Sequence, residues 1–482
     1  MTRHIVGPFS RVEGDLEVQL DINDNQVTDA KVVSQLYRGF EKILQGKDPN
    51  DALVYVPRIC GICSVSQSIA AAQALADIQG LKMPHNGELA SNLILANENV
   101  ADHLTHFYLF FMPDFARDFY QKKSWFNAAE KRFKAITGTA LKPALAARTE
   151  FMHLMGLLAG KWPHSLALQA GGVSCAIGMQ EKLRIIAILS GFRQFLEQTL
   201  FADSLENIIS LDSEVALYNW SEQQQVSGSD FRHFLFIAED LKLQDLGKTT
   251  GNFMSYGVYP SYGQRLFTPG VWMGSVEKLD QAKITEDVSS SWMFQQNGAK
   301  HPYEGLTQPS IEQPDAYSWC KSPRLDGEVM EVGALARQII NGHPLVQDLI
   351  RNSGSNVRNR VIARLLELAI VVVEMEDWAR EIQPKEPFCN HAAMPDEAQA
   401  YGMIEAARGS LGHWVKIKKG RILNYQIIAP TTWNFSPRDA QGNRGPLEQA
   451  LLNTQVTNND HKSVAVQHIV RSFDPCMACT VH

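Results

Sequence analysis

Residues 356–381 read NVRNRVIARLLELAIVVVEMEDWARE, and apolar residues recur through this stretch at the spacing of an α-helix. Glu367 and Glu374 interrupt the apolar run well short of the ~20 residues that span a bilayer, so the spacing predicts a buried core helix. Three further stretches carry the same periodicity: SVSQSIAAAQALADI (64–78), ELASNLILANENVADHLTHFYLFFM (88–112) and MQEKLRIIAILSGFRQFLEQTLF (179–201). Four long helices of this kind predict a helix-bundle core. Outside them, DLEVQLDI and QVTDAKVVSQ, between Asp15 and Gln35, alternate apolar and polar residues about a turn at NDNQ, the pattern of a small antiparallel sheet. A second hairpin, HWVKIKKGRILNYQIIAP (413–430), turns at KKGR. From about Asn219 to Ser322, Gly, Pro, Ser and aromatic residues dominate, and loops with short strands are expected there as a cover over the core. With no internal repeat, the expectation is an α+β fold in one domain over residues 1–482, a large helix-bundle core with small peripheral antiparallel sheets.

Composition narrows the function classes. A chain of 482 residues that is 45% hydrophobic can bury a substantial core. A formal net charge of −7 and no long basic run argue against a nucleic-acid partner. The opening MTRHIVGPFSRVEGD lacks the apolar stretch of a secretory signal, so a cytoplasmic chain without a membrane span is expected.

Seven cysteines are too few for a disulfide scaffold. Cys175, Cys320 and Cys389 stand alone, whereas Cys60-Gly-Ile-Cys63 and Cys476-Met-Ala-Cys479 form two CxxC pairs. Their first cysteines are 416 residues apart. A zinc ribbon places its pairs about 15–20 residues apart, because one small unit is folded by the metal. Here the remainder of the fold must bring the pairs together. Structural zinc and a dithiol redox pair remain as alternatives, but four thiolates gathered in the middle of a large fold suit a soft, catalytic transition metal.

The strings RVEGD, LYRGFE, RICGIC, EAARGSLGHW, APTTWN and DPCMACTVH, running from Arg11 to His482, resemble in order the signature blocks of nickel-iron hydrogenase large subunits. Complex I subunits that resemble this family lack the four cysteines. The resemblance implies that Cys60, Cys63, Cys476 and Cys479 bind nickel. It also implies that Cys63 and Cys479 bridge to an iron carrying cyanide and carbon monoxide, and that hydrogen is split heterolytically there. Glu13 corresponds to the glutamate beside the terminal cysteine Cys476 and is expected to take its proton, a role that a dry site favours by raising a carboxyl pKa. Arg408 matches the arginine over the diatomic ligands, with Asp102 and Asp474 completing a charged canopy. Glu41, His482 and the carbonyl near Ile427 match a magnesium site, although a histidine ligand is less usual for magnesium. Since only scattered cysteines remain, electrons are expected to leave through the family's iron-sulfur small subunit.

Several positions depart from the family pattern. Gln67 stands where most members have a histidine that donates to a bridging cysteine, Asp15 replaces the histidine of RVEGH, and Ala407 replaces a proline before Arg408. Changes of this kind tune a metal site without removing it. Ile62 and Phe110 match gas-channel positions and look like the bulky pair of hydrogen-sensing regulatory members. The chain also ends at His482, where most members carry an extension cleaved in maturation, so it is expected to be either a mature chain or the product of a gene that encodes no extension, as in the sensor group. Together these features imply a hydrogen sensor that signals through a histidine kinase; a cytoplasmic uptake enzyme feeding electrons to metabolism is the alternative.

Overall fold

In the computed structural model, residues 2–456 and 463–482 are described. In chain order, the elements that position the site begin with strands β1 (Thr2–Val6), β2 (Leu16–Asn23) and β3 (Gln26–Ser34). Helices α1 (Ser64–Ile78), α2 (His85–Thr105), α3 (Leu141–Ala159), α4 (Met179–Phe195), α5 (Ala334–Asn341) and α6 (Val357–Glu381) follow. Strands β4 (Ala398–Ala406), β5 (Gly409–Lys418) and β6 (Arg421–Ile428) and a short closing helix α7 (Met477–Thr480) complete the set.

The 356–381 stretch forms its helix with Asn356 as N-cap, its side chain accepting from the Asn359 N–H at 2.9 Å. Val361, Leu365, Leu368 and Val372 are buried, but so are Arg358, Arg360, Arg364 and Glu367. A helix buried on every side must partner its charges, and Arg360 accordingly meets Glu331 at 2.8 Å and Glu367 meets Arg337 at 2.7 Å. α2 packs against α6 and α3, and α4 against α3 and α6, so three of the expected helices form a bundle together with α3, while α1 lies mainly against β4.

Some boundaries differ from the spacing. The 88–112 stretch leaves α-geometry after Thr105 in a π turn, His106–Phe111, and a 3₁₀ turn, Met112–Ala116. Pro113 has no N–H with which to continue an α ladder. The 179–201 stretch likewise ends in a π turn, Leu196–Phe201, closed by Ala202 at φ +50°. α3 is a further helix outside the four periodic stretches, and it contains Pro143. The proline lies in the first turn, where backbone N–H groups have no intrahelical partner to lose. The expected cover between 219 and 322 does contain short strands, but it also holds the helix Asp230–Asp240, capped by the Ser229 side chain.

β1, β2 and β3 form one antiparallel sheet, and β4, β5 and β6 another. Both foreseen hairpins turn through two residues at positive φ, Asp24 and Asn25 in one and Lys419 and Gly420 in the other, the primed geometry that matches strand twist. β4, which the hairpin pattern did not include, lies flat on α1. A Cβ at Gly402 would stand 1.9 Å from the Ala70 carbonyl oxygen, so only glycine permits that approach.

Candidate metal centre

Cys63 immediately precedes α1, and that helix has no cap of its own. The cap comes from α2. The buried Glu98 carboxylate accepts from the Val65 N–H (2.9 Å), the Ser66 N–H and hydroxyl (both 3.0 Å), and the Trp162 indole N–H (3.0 Å). Burial nevertheless pushes this carboxyl up to about 7. At the other end of the chain, Cys476 occupies the same position before α7. The Met477 N–H donates to the Glu13 carbonyl at 2.8 Å, pairing the amino-terminal RVEG segment with the carboxyl-terminal one. Arg38 joins the two CxxC segments by donating to both the Ile59 and the Ala478 carbonyls.

These anchors bring the four cysteines together. Their sulfurs all lie within 4.8 Å of one another and are buried. Cys63 and Cys479 stand 2.8 Å apart, and Cys60 and Cys476 3.3 Å apart, too far for a disulfide. All four are free thiols. Thiols packed this closely cannot all ionise. Hydrogen bonds from Cys476 and its neighbours hold the Cys60 thiol well below its ordinary value, while Cys63 and Cys479 are held well above it. A soft divalent ion at the roughly 2.3 Å of a metal-thiolate bond relieves that repulsion, so the donor set and spacing fit a thiolate-bound metal.

Arg408 lies beside this cluster. Its Nη1 donates to Asp102 at 3.0 Å, Nη2 to Asp474 at 3.3 Å, and Nε to the Asp474 carbonyl at 2.8 Å. Burial pushes Asp102 up to about 8 in spite of that guanidinium. Asp474, also buried, is drawn below its ordinary value by Arg408 and His106. Glu13 is half-buried, and its carboxyl is raised, first by burial and then by the adjacent Cys60.

A sequence profile of the nickel-dependent hydrogenase family matches residues 38–124 and 111–482. The periplasmic [NiFeSe] hydrogenase large subunit of Desulfomicrobium baculatum is 30% identical over 99% of this chain and 94% of its own length. The chain belongs to the nickel-dependent hydrogenase family. Hydrogenase-1 large chain of Escherichia coli (strain K12) is 27% identical, covering 100% of this chain and 95% of that one. The [NiFeSe] hydrogenase of D. vulgaris Hildenborough in the reduced state superposes over the full length of both chains, with a TM-score of 0.85 at 29% identity. As the large subunit of a hydrogenase, the chain acts on hydrogen with a small-subunit partner.

Elsewhere in this hydrogenase, Glu41, Ile427 and His482 also converge. His482 Nε2 is 2.7 Å from the Ile427 carbonyl oxygen and 3.4 Å from Glu41 Oε1. Such separations fit neighbouring ligands of an octahedral ion bound at about 2.1 Å. Lys321 approaches the other Glu41 oxygen at 3.2 Å and Glu286 at 3.3 Å. Burial opposes ionisation of Glu41, but Lys321 and His482 outweigh it and bring the carboxyl down to about 2.

Gln67 is buried behind Cys63, with Oε1 2.8 Å from His413 Nε2. Ile62 and Phe110 are half-buried, and Phe110 lies within the π turn that follows α2. Asp15, expected to tune the centre, is instead exposed at the start of β2. Sequence reasoning missed Glu98 and Arg38. Glu98 carried one signal, the lone acid in LILANENV, flanked by Asn97 and Asn99. Arg38 lay inside LYRGFE with only its neighbour Glu41 singled out.

Proposed function

We propose that this hydrogenase large subunit splits hydrogen heterolytically at a nickel-iron pair held by Cys60, Cys63, Cys476 and Cys479, and that it works as a hydrogen sensor. The convergence of four buried thiolates with a raised carboxyl at Glu13 carries the reading. The bound pair, with cyanide and carbon monoxide on its iron, would supply the redox chemistry. Cys60, Cys63, Cys476 and Cys479, whose sulfurs lie within 4.8 Å of one another, would hold the pair. The Cys476 thiolate takes the proton, and Glu13, whose backbone pairs with that of Cys476, receives it with an affinity raised toward the working range. Arg408, paired with Asp102 and Asp474, would present a buried positive charge beside the bound pair.

The sensor role is supported by Gln67, by Ile62 and by Phe110. Gln67 Nε2 is buried without a partner and is free to donate toward the cysteine cluster. A second reading, uptake of hydrogen for metabolism, is favoured by relatives named uptake hydrogenases, such as that of Rhodobacter capsulatus. On either reading the partner is an iron-sulfur small subunit and the complex is cytoplasmic. Magnesium at Glu41, the Ile427 carbonyl and His482 would tie the carboxyl-terminal segment to the core. Among the described residues, no helix is long and apolar enough to cross a membrane. Metal analysis of the purified heterodimer should find nickel, iron and magnesium, and infrared spectra should show cyanide and carbon monoxide bands. Zinc alone would refute the centre. Reconstitution with a histidine kinase should make its autophosphorylation depend on hydrogen, and indifference of the kinase would leave the uptake reading.

A further inference from the structure

Arg408 stands at the tip of a two-residue hairpin. β4 ends at Ala406, β5 begins at Gly409, these two residues pair directly, and Ala407 and Arg408 form the turn. Neither has a positive φ, so the turn lacks the primed geometry that matches strand twist, and an Ala-Arg pair does little to fix its own backbone. The Arg408 guanidinium is nevertheless aimed at two carboxylates. Another buried arginine holds the tip.

Arg337 of α5 is 1% exposed. Its Nη1 donates to the Ala406 carbonyl at 2.9 Å and its Nη2 to the Ala407 carbonyl at 3.1 Å. The same guanidinium grips Glu367 of α6 through Nε (3.0 Å) and Nη2 (2.7 Å), and reaches Glu405 through Nη1 at 2.8 Å. Glu367 Oε1 also meets His103 Nε2 at 3.0 Å, and His103 follows Asp102 on α2. Both members of the Arg408–Asp102 pair are therefore referenced to one carboxylate, the arginine through the hairpin carbonyls and the aspartate through its neighbour. Glu405 in turn accepts from the Ser410 hydroxyl at 2.6 Å and the Tyr256 N–H at 2.8 Å, which pins the flanks of the hairpin. The residue that precedes α5 touches the tip as well, since a Cβ at Gly409 would stand 2.7 Å from the Gly333 nitrogen.

We propose that Arg337 is a positioning residue for hydrogen oxidation, which with Glu367 and Glu405 sets the hairpin tip so that Arg408 stays aimed beside the cysteine cluster. The inference rests on the reading of Arg408 as part of that site. Only a planar fork with five donors can serve two carboxylates and two carbonyls together, so lysine cannot substitute.

The test uses the nickel-loaded heterodimer and the variants Arg337→Lys, Arg337→Lys with Ala407→Pro, Glu405→Gln and Arg408→Lys. Two quantities are read: turnover per bound nickel, and backbone amide exchange in peptides covering 404–411 and 474–482. Arg337→Lys retains the charge, and it should accelerate exchange at least tenfold in 404–411 alone. It should also lower kcat at constant KM by between about tenfold and a hundredfold, the scale of a roughly 1 Å misplacement. Proline fixes φ near the value wanted at the first turn position, so Ala407→Pro should restore both readouts, which it could not do for a general loss of core stability. Should Arg337→Lys not fold, Glu405→Gln should show the same local loosening to a smaller degree. The proposal is overturned if kcat per nickel in Arg337→Lys stays within twofold of the parent, if proline restores protection without rate, or if 404–411 is unchanged in Glu405→Gln. An unaffected Arg408→Lys would sink the role given to Arg408, while the exchange data would still judge the clamp.

Discussion

Replacing Glu98 by glutamine separates the cap on α1 from the charge that comes with it. The Glu98 carboxyl is raised from an ordinary 4.5 to about 7 by burial. At 1.36 kcal/mol per pKa unit, that shift corresponds to about 3 kcal/mol. The sign follows from linkage: below its unfolded value the group is protonated in both states and has no effect. As pH rises from about 4.5 toward about 7 the unfolded chain ionises first, so the native state loses stability until the folded carboxyl also ionises. Glutamine never ionises, so its penalty does not vary with pH. It has one acceptor oxygen for the Val65, Ser66 and Trp162 N–H groups, and an orphaned donor costs about 1–3 kcal/mol at every pH. The observable is therefore the slope and not the offset. With an unfolding entropy near 2.1 cal/mol/K per residue, roughly 1 kcal/mol corresponds to about 1 °C in a chain of this size. The midpoint of Glu98→Gln minus that of the parent should climb by roughly 3 °C between about pH 4.5 and about 8, mostly below 7. Scanning calorimetry at matched nickel content measures it. Parallel pH curves would refute the idea that Glu98 is buried as an uncompensated acid.

Glu13→Gln should retain both metals yet reduce hydrogen/deuterium exchange by about 10²–10⁴-fold, since the amide keeps the shape and cannot relay a proton; unchanged exchange at full metal loading removes Glu13 from the path. Arg38→Lys leaves one point charge to serve the Ile59 and Ala478 carbonyls, and nickel retention during dialysis against a chelator should weaken about tenfold. His482→Ala should lower bound magnesium and the thermal midpoint together, and full magnesium occupancy in the variant would count against that site. Ile62→Val with Phe110→Leu should make hydrogen oxidation sensitive to an oxygen pulse, at a folding cost of about 0.5–1.5 kcal/mol for the isoleucine step. Equal resistance in parent and variant would end steric gating as the explanation.

Periodicity made α1, α2, α4 and α6 legible because each keeps an apolar pattern over four or more turns, and it did not show that α3 completes the bundle. It failed where geometry changes inside one apolar run, as at the π turns after Thr105 and Phe195, since the hydrophobic pattern continues while the hydrogen bonding does not. The four cysteines were legible as two spaced pairs, and Arg408, Asp102 and Asp474 through their flanking strings. The Arg337–Glu367 clamp and the Glu98 cap were not. The clamp depends on how α5 meets α6 and the cap on how α2 meets α1, relations between residues 30 and 33 positions apart that local pattern does not encode. Asp15 shows the opposite error, a position that differs in sequence but is exposed in the fold.

The order of synthesis gives the long separation of the two cysteine pairs a temporal meaning. Arg38, Cys60, Cys63 and Glu98 all lie within the first hundred residues, so one half of the centre and the cap that holds it emerge together. The remaining donors emerge 416 residues later. At roughly 5–20 residues per second, a growing chain carries a two-thiolate half-site for on the order of twenty to eighty seconds before Cys476 and Cys479 exist. Any ion captured in that interval has two protein ligands and an open face, and it can be exchanged. Only the arrival of the Asp474–His482 segment, locked by the Glu13 carbonyl and Arg38, completes the set of four thiolates.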